Sequence, residues 1–137
     1  MTERALVFRT PPDGVDLVHA ALASLWAERA DIDETDRMMF ETALIELASN
    51  VIQHATSSTA IVCRVEIRAD DSMLRAELVD SADPPDIDDG PRQMPDEFAE
   101  SGRGLAFIQA LVDDFQHHRV GGENVWTISK TRSAPGT

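Results

Sequence analysis

Three groups of residues have the types and spacing to do chemistry. Glu46, Asn50 and His54 stand four apart within the stretch MMFETALIELASNVIQHA. On a helix such residues project from successive turns of one face, setting a carboxylate, an amide and an imidazole side by side. The plain alternative is a solvated polar face, which every amphipathic helix has. Asp80 closes the run MLRAELVD, on the same alternation as Leu74, Ala76 and Leu78. A carboxylate at the end of a buried row needs a partner, unless it only caps a turn. Gly102-Arg103-Gly104-Leu105 leads into an apolar stretch. Glycines ahead of a helix let backbone amides approach phosphate oxygens, and Arg103 adds a charged donor. A Gly-x-Gly pair alone often does no more than start a helix.

The helix that must carry the first group spans 38–55. Met39, Ala43, Leu47, Val51 and Ala55 form one row, and Phe40, Leu44, Ala48 and Ile52 the next. That stripe is broad enough to pack on a sheet. Asp33 or Thr35 is placed to cap its start. Ahead of it, 5–10 reads as a short strand. Pro11-Pro12-Asp13-Gly14 reads as a turn with Asp13 as a cap, and 15–30 as a helix with Val15, Val18, Leu22, Leu25 and Trp26 on one side. After it, Ile61, Cys63, Val65 and Ile67 alternate with Val62, Arg64, Glu66 and Arg68, which predicts a strand over 60–69 with one buried face. Asp70-Asp71-Ser72 turns the chain into the strand that ends at Asp80. Prolines 84, 85, 91 and 95 make 81–100 a loop, and loops this long in a compact domain are usually functional. A helix over 104–113 follows, then strands 115–120 and 125–130 joined by Gly121-Gly122-Glu123-Asn124, and a frayed tail at 131–137. The order predicts the α+β class: a two-layer sandwich whose mostly antiparallel sheet carries three helices on one face.

A helix with Glu-x-x-x-Asn, a strand ending in Asp and a Gly-x-Gly before a helix together resemble the GHKL ATP-binding family. Glu46-x-x-x-Asn50-x-x-x-His54-Ala55 with Gly102-Arg103-Gly104-Leu105 looks like its anti-sigma-factor serine/threonine protein kinase branch, and the likeness covers nearly the whole chain. The resemblance implies one domain over 1–130 that binds ATP and Mg²⁺. It implies Asn50 as the magnesium ligand, Glu46 as the base for a serine hydroxyl, and Asp80 as the acceptor for the adenine amino group. Gly102, Arg103, Gly104 and Leu105 complete the implied ATP-binding set, with Thr127 as a second contact and 81–100 as the lid. His54 either approaches the phosphates or caps the helix end, where its charge is favourable. The implied partners are a sigma factor, held inactive, and an anti-anti-sigma antagonist of the STAS type, which is phosphorylated; a homodimer is implied too. One departure weakens the nucleotide half. The family follows its aspartate with Asp-x-Gly-x-Gly, whereas this chain reads Asp80-Ser81-Ala82-Asp83-Pro84. Pro84 lacks an amide donor and has a fixed φ. A non-catalytic module of the same fold, sequestering a sigma factor with weak or no ATP use, therefore stands beside the kinase.

Composition narrows the classes further. A chain of 137 residues with 42% hydrophobic content suits one domain with a real core. No apolar run approaches membrane length, and the start lacks the layout of a signal peptide. The single cysteine, Cys63, permits no internal disulfide and sits where a small core residue belongs, so a cytoplasmic location is expected. A net charge of −13 argues against nucleic acid and anionic membranes as partners; it either attracts a basic protein surface or only maintains solubility.

Overall fold

Period-two and helical patterns sort this chain into one sheet and one helical layer. The computed structural model describes residues 1–10, 14–53, 61–82 and 99–133, with the backbone alone at 99–104. Asp13, His54, the loop 83–98 with Pro84, the side chain of Arg103 and residues 134–137 lie outside the described residues. In chain order the elements are β1 (Thr2–Thr10), α1 (Asp16–Glu28), α2 (Glu34–Gln53), β2 (Ile61–Ala69), β3 (Met73–Asp80), α3 (Ala99–Leu111), β4 (Asp114–Val120) and β5 (Glu123–Thr131). The sheet order is β1-β2-β3-β5-β4, and every neighbouring pair is antiparallel. The three helices form the second layer, with α2 packed against both α1 and α3. This is the predicted α+β sandwich.

The core lies where the alternation put it. Ile61, Cys63, Val65 and Ile67 of β2 are buried, while Arg64, Glu66 and Arg68 between them are exposed. In β3 the buried row is Leu74, Ala76, Leu78 and Asp80, and the register sets Ile128 opposite Ala76 and Trp126 opposite Leu78. Helix α2 covers this surface with Phe40, Ala43, Leu44, Leu47, Ala48 and Val51. Burying each large apolar side chain contributes roughly 1.5–3 kcal/mol. Asp33 caps α2 by accepting the Thr35 N–H at 3.0 Å.

Three of the boundaries that differ from the pattern have a local cause. Helix α2 begins at Glu34 rather than 38, since the capping residue starts it before the apolar rows do. Strand β5 begins at Glu123, so the hairpin turn is Gly121-Gly122 alone. Their φ values, +55° and +82°, are both positive, as a two-residue type I′ turn requires. Helix α3 begins at Ala99, so Gly102 and Gly104 lie inside it rather than ahead of it. Ala99 and Glu100 favour an early start, by propensity and by a negative charge in the first turn.

The tail expected to fray from 131 is held through Ser133. The Ser133 N–H donates to the buried Asp36 carboxylate at 2.7 Å. The Arg132 guanidinium donates to the Asp70 carbonyl at 2.7 Å and to Asp31 at 3.1 Å. Arg29 reaches Asp31, Asp71 and the Ala69 carbonyl from the other side. This polar knot joins the α1–α2 connection, the β2–β3 turn and the end of β5. The Arg29 guanidinium holds the Asp31 carboxyl well below the usual range, with Arg132 adding to it. The Ser72 and Met73 backbone N–H groups hold Asp70 down.

Candidate functional site

Helix α2 presents Glu46 and Asn50 on a face that is not simply solvated. From Glu41 to Ile52 no residue is exposed; each is buried or half-buried. The cause is its central place, with α1 on one flank and α3 on the other. Within this half-covered face the amide nitrogen of Asn50 is buried and has no hydrogen-bond partner among the described residues. A buried donor left unpaired costs about 1–3 kcal/mol, so such a group points to a ligand. Half a turn of the amide presents its oxygen instead. One amide oxygen is a fitting protein share for Mg²⁺, which takes hard oxygen ligands and fills its remaining positions from phosphate and water. Among the described residues no group of three or more His, Cys, Asp or Glu could hold a metal. Glu46, one turn before Asn50, is half-buried beside it on the same face.

Asp80 is the other centre, on the same side of the sheet as the helices. It is 1% exposed. One carboxylate oxygen accepts the Ala82 N–H at 3.0 Å and the Asn124 side-chain N–H at 2.9 Å; the other accepts the Trp126 indole N–H at 2.8 Å. Arg119 donates to the Ala82 carbonyl at 2.8 Å and to the Asn124 oxygen at 3.2 Å, and a His117 ring nitrogen lies 3.1 Å from that oxygen. The Trp126 ring is stacked on Phe115 and lies 4.3 Å from the His117 ring, centroid to centroid. The partner that a buried carboxylate requires is thus supplied from β5. As arranged, both Asp80 oxygens are engaged. The magnesium end of the implied site fits the residues present, and at the base end Trp126 and Asn124 already donate to Asp80. The Cys63 thiol, beside Asp80 in the sheet, is pushed up to about 12 by burial and then by that negative charge.

Two other expected contacts are displaced. Thr127 pairs with Glu77 and Gln116 and stands on the opposite face of the sheet from the Asp80 row, because the side-chain period of a strand is two. It is not a second base contact. In a helix that starts at Ala99 the Gly104 amide is directed to the carbonyl four residues back, so the unpaired amides belong to 99–102. Leu105 is 5% exposed and part of the core. Asn124, Trp126, His117 and Arg119 are functional candidates that pattern reading missed. The available signal was Asn124-x-Trp126-x-Ile128, a polar residue heading a core row.

Residues 8–130 match the family described as a histidine kinase-like ATPase domain. No curated protein matches. Among solved structures, the chain is similar to the RsbU and RsbW domains of Rv1364c from Mycobacterium tuberculosis, with 20% identity and a TM-score of 0.71. That match covers 98% of this chain and 33% of the other, so the present chain spans about a third of its length. At this identity the likeness shows the fold. No helix among the described residues is long and apolar enough to cross a membrane.

Proposed function

The chain belongs to the histidine kinase-like ATPase domain family, and we propose that within it the protein is an anti-sigma regulatory factor with serine protein kinase activity. It holds a sigma factor inactive and, with Mg-ATP, phosphorylates an anti-anti-sigma antagonist of the STAS type. The observation that carries this reading is the Asn50 amide, buried and without a partner among the described residues, with Glu46 one turn away on the same half-covered face. Asn50 holds the metal through its oxygen. Glu46 takes the proton from the serine hydroxyl. Mg-ATP, when bound, supplies the phosphoryl group and the neutralising charge that transfer requires. The fold shared with the RsbW domain of Rv1364c supports the anti-sigma half. The net charge of −13 favours basic protein surfaces over nucleic acid.

The test is incubation of the purified protein with Mg-ATP and a STAS-type antagonist from the same genome, read by mass spectrometry for phosphoserine. Phosphorylation by the wild type, reduced roughly 10²–10⁴-fold in Glu46→Gln, is the expected result. One observation favours a second reading. Both oxygens of Asp80 are already paired, which suits a sequestering module with little nucleotide use. Sigma-factor capture with no phosphoserine selects that reading.

A further inference from the structure

The surface around Glu46 is nearly free of charge. Charged residues make up 27% of the sequence, yet Glu46 is the only one from Thr42 to Gln53, and Leu105 to Leu111 of α3 holds none. Helices α2 and α3 lie side by side and antiparallel. Asp36, in the first turn of α2, accepts two hydrogen bonds from Ser133, beyond the end of β5. Leu111, at the end of α3, stands shortly before Asp114, which pairs with Ser129 near that same end of β5. On α2 the flank of α1 is fixed by the Trp26 indole N–H, which donates to Glu41 at 2.9 Å. Asn50 projects half a circle away from Glu41, so Asn50 and Glu46 belong to the flank of α3.

On α3, Leu105 and Ile108 are buried toward the sheet. Right-handed winding then sets Gly104, Phe107 and Leu111, one helical row, on the flank toward α2. Leu111 packs against the core cluster, whereas Phe107 is 48% exposed. No other Phe or Trp among the described residues is exposed. The step from Gly104 to Phe107 is one turn. The step from Asn50 back to Glu46 is one turn in the same direction, because the helices are antiparallel. Phe107 thus stands to Glu46 as Gly104 stands to Asn50. Met39 and Thr42, half-buried on the Glu46 row, and the exposed Ala110 border the same groove.

A protein serine that brings its hydroxyl to Glu46 must lay its flanking residues along this groove. Given the kinase reading, on which this inference rests, we infer that Phe107 is the docking contact that positions the serine-bearing segment of the antagonist, and that this segment carries an apolar side chain beside its serine. An exposed aromatic ring in a groove is suited to anchor such a side chain. A charged neighbour of the serine would be covered there without a partner, and an acidic one would also oppose Glu46.

The test uses the STAS-type antagonist from the same genome. Phosphorylation at saturating Mg-ATP is followed over a range of antagonist concentrations for wild type, Phe107→Ala and Phe107→Leu. Calorimetry with Mg-ATP confirms that each variant keeps its fold and nucleotide affinity. About half of the Phe107 side chain remains to be covered, so Phe107→Ala should raise KM for the antagonist roughly three- to tenfold with kcat within about twofold. Phe107→Leu should recover most of that loss. Mass spectrometry locates the phosphorylated serine. Changing its apolar neighbour to Asp should raise KM in wild type and add little in Phe107→Ala, as expected for two groups in contact. With wild-type phosphorylation intact, an unchanged KM in Phe107→Ala, losses that simply add, or a serine without an apolar neighbour overturns the inference and leaves the kinase reading standing. A wild type that captures the antagonist and phosphorylates no serine refutes that reading and this inference together.

Discussion

Replacing Trp126 by Phe should separate two effects of one hydrogen bond. Phenylalanine keeps a ring between Phe115 and His117 but removes the indole N–H that Asp80 accepts at 2.8 Å. A hydrogen bond to a charged group contributes about 1.5–3 kcal/mol. At 1% exposure no water replaces it, so that energy is lost from the unliganded fold. For a domain of this length the midpoint of thermal unfolding should fall by roughly 5–10 °C. The same bond competes with any base that Asp80 would accept. Its removal should therefore tighten Mg-ATP binding by about 10–150-fold. Calorimetric titration beside thermal unfolding reads both. A variant that loses stability with no gain in nucleotide affinity refutes the competition and makes Asp80 a purely structural carboxylate.

Asn50→Ala should abolish Mg-ATP binding and phosphorylation together, whereas Glu46→Gln should keep nucleotide affinity; calorimetry beside the phosphorylation assay separates them. Asp70 should make stability depend on pH. Its carboxyl is held below the ordinary 3.8 by the Ser72 and Met73 N–H groups. The stability it contributes is full above that value and is lost as pH falls through the lower, folded one. Urea midpoints below about pH 4 should drop more steeply in wild type than in Asp70→Asn, and parallel curves would contradict this. Cys63, buried and held as the thiol up to about 12, should react with iodoacetamide at about pH 8 only as urea unfolds the chain. Rapid labelling of the native protein would count against its burial.

The sandwich was legible because its layers are written as periodicities. The rows of α2 and the alternation of β2 predict burial residue by residue. Ends were harder, because they depend on single contacts rather than on a repeat. Ser133 is ordered by a carboxylate 97 positions away, which no local pattern encodes. The placement of the candidate residues was half legible. Helical spacing sets Glu46 and Asn50 side by side and alternation puts Asp80 in a buried row, while their roles are what the resemblance implies. What closes over Asp80 depended on the register of β5. A four-residue turn placed Asn124 outside the strand, whereas positive φ at Gly121 and Gly122 shortens the turn and brings Asn124 opposite Asp80. Thr127 was implied as a base contact by the resemblance alone, and the strand's period turns it away from the Asp80 row.

The most direct measurement is a calorimetric titration of Mg-ATP into the wild-type protein, repeated with magnesium chelated and with Asn50→Ala. A saturable heat at one nucleotide per chain, lost in both controls, is the result predicted for a kinase whose metal is held by Asn50. No saturable heat in the wild type, or a heat indifferent to magnesium and to Asn50, would contradict it.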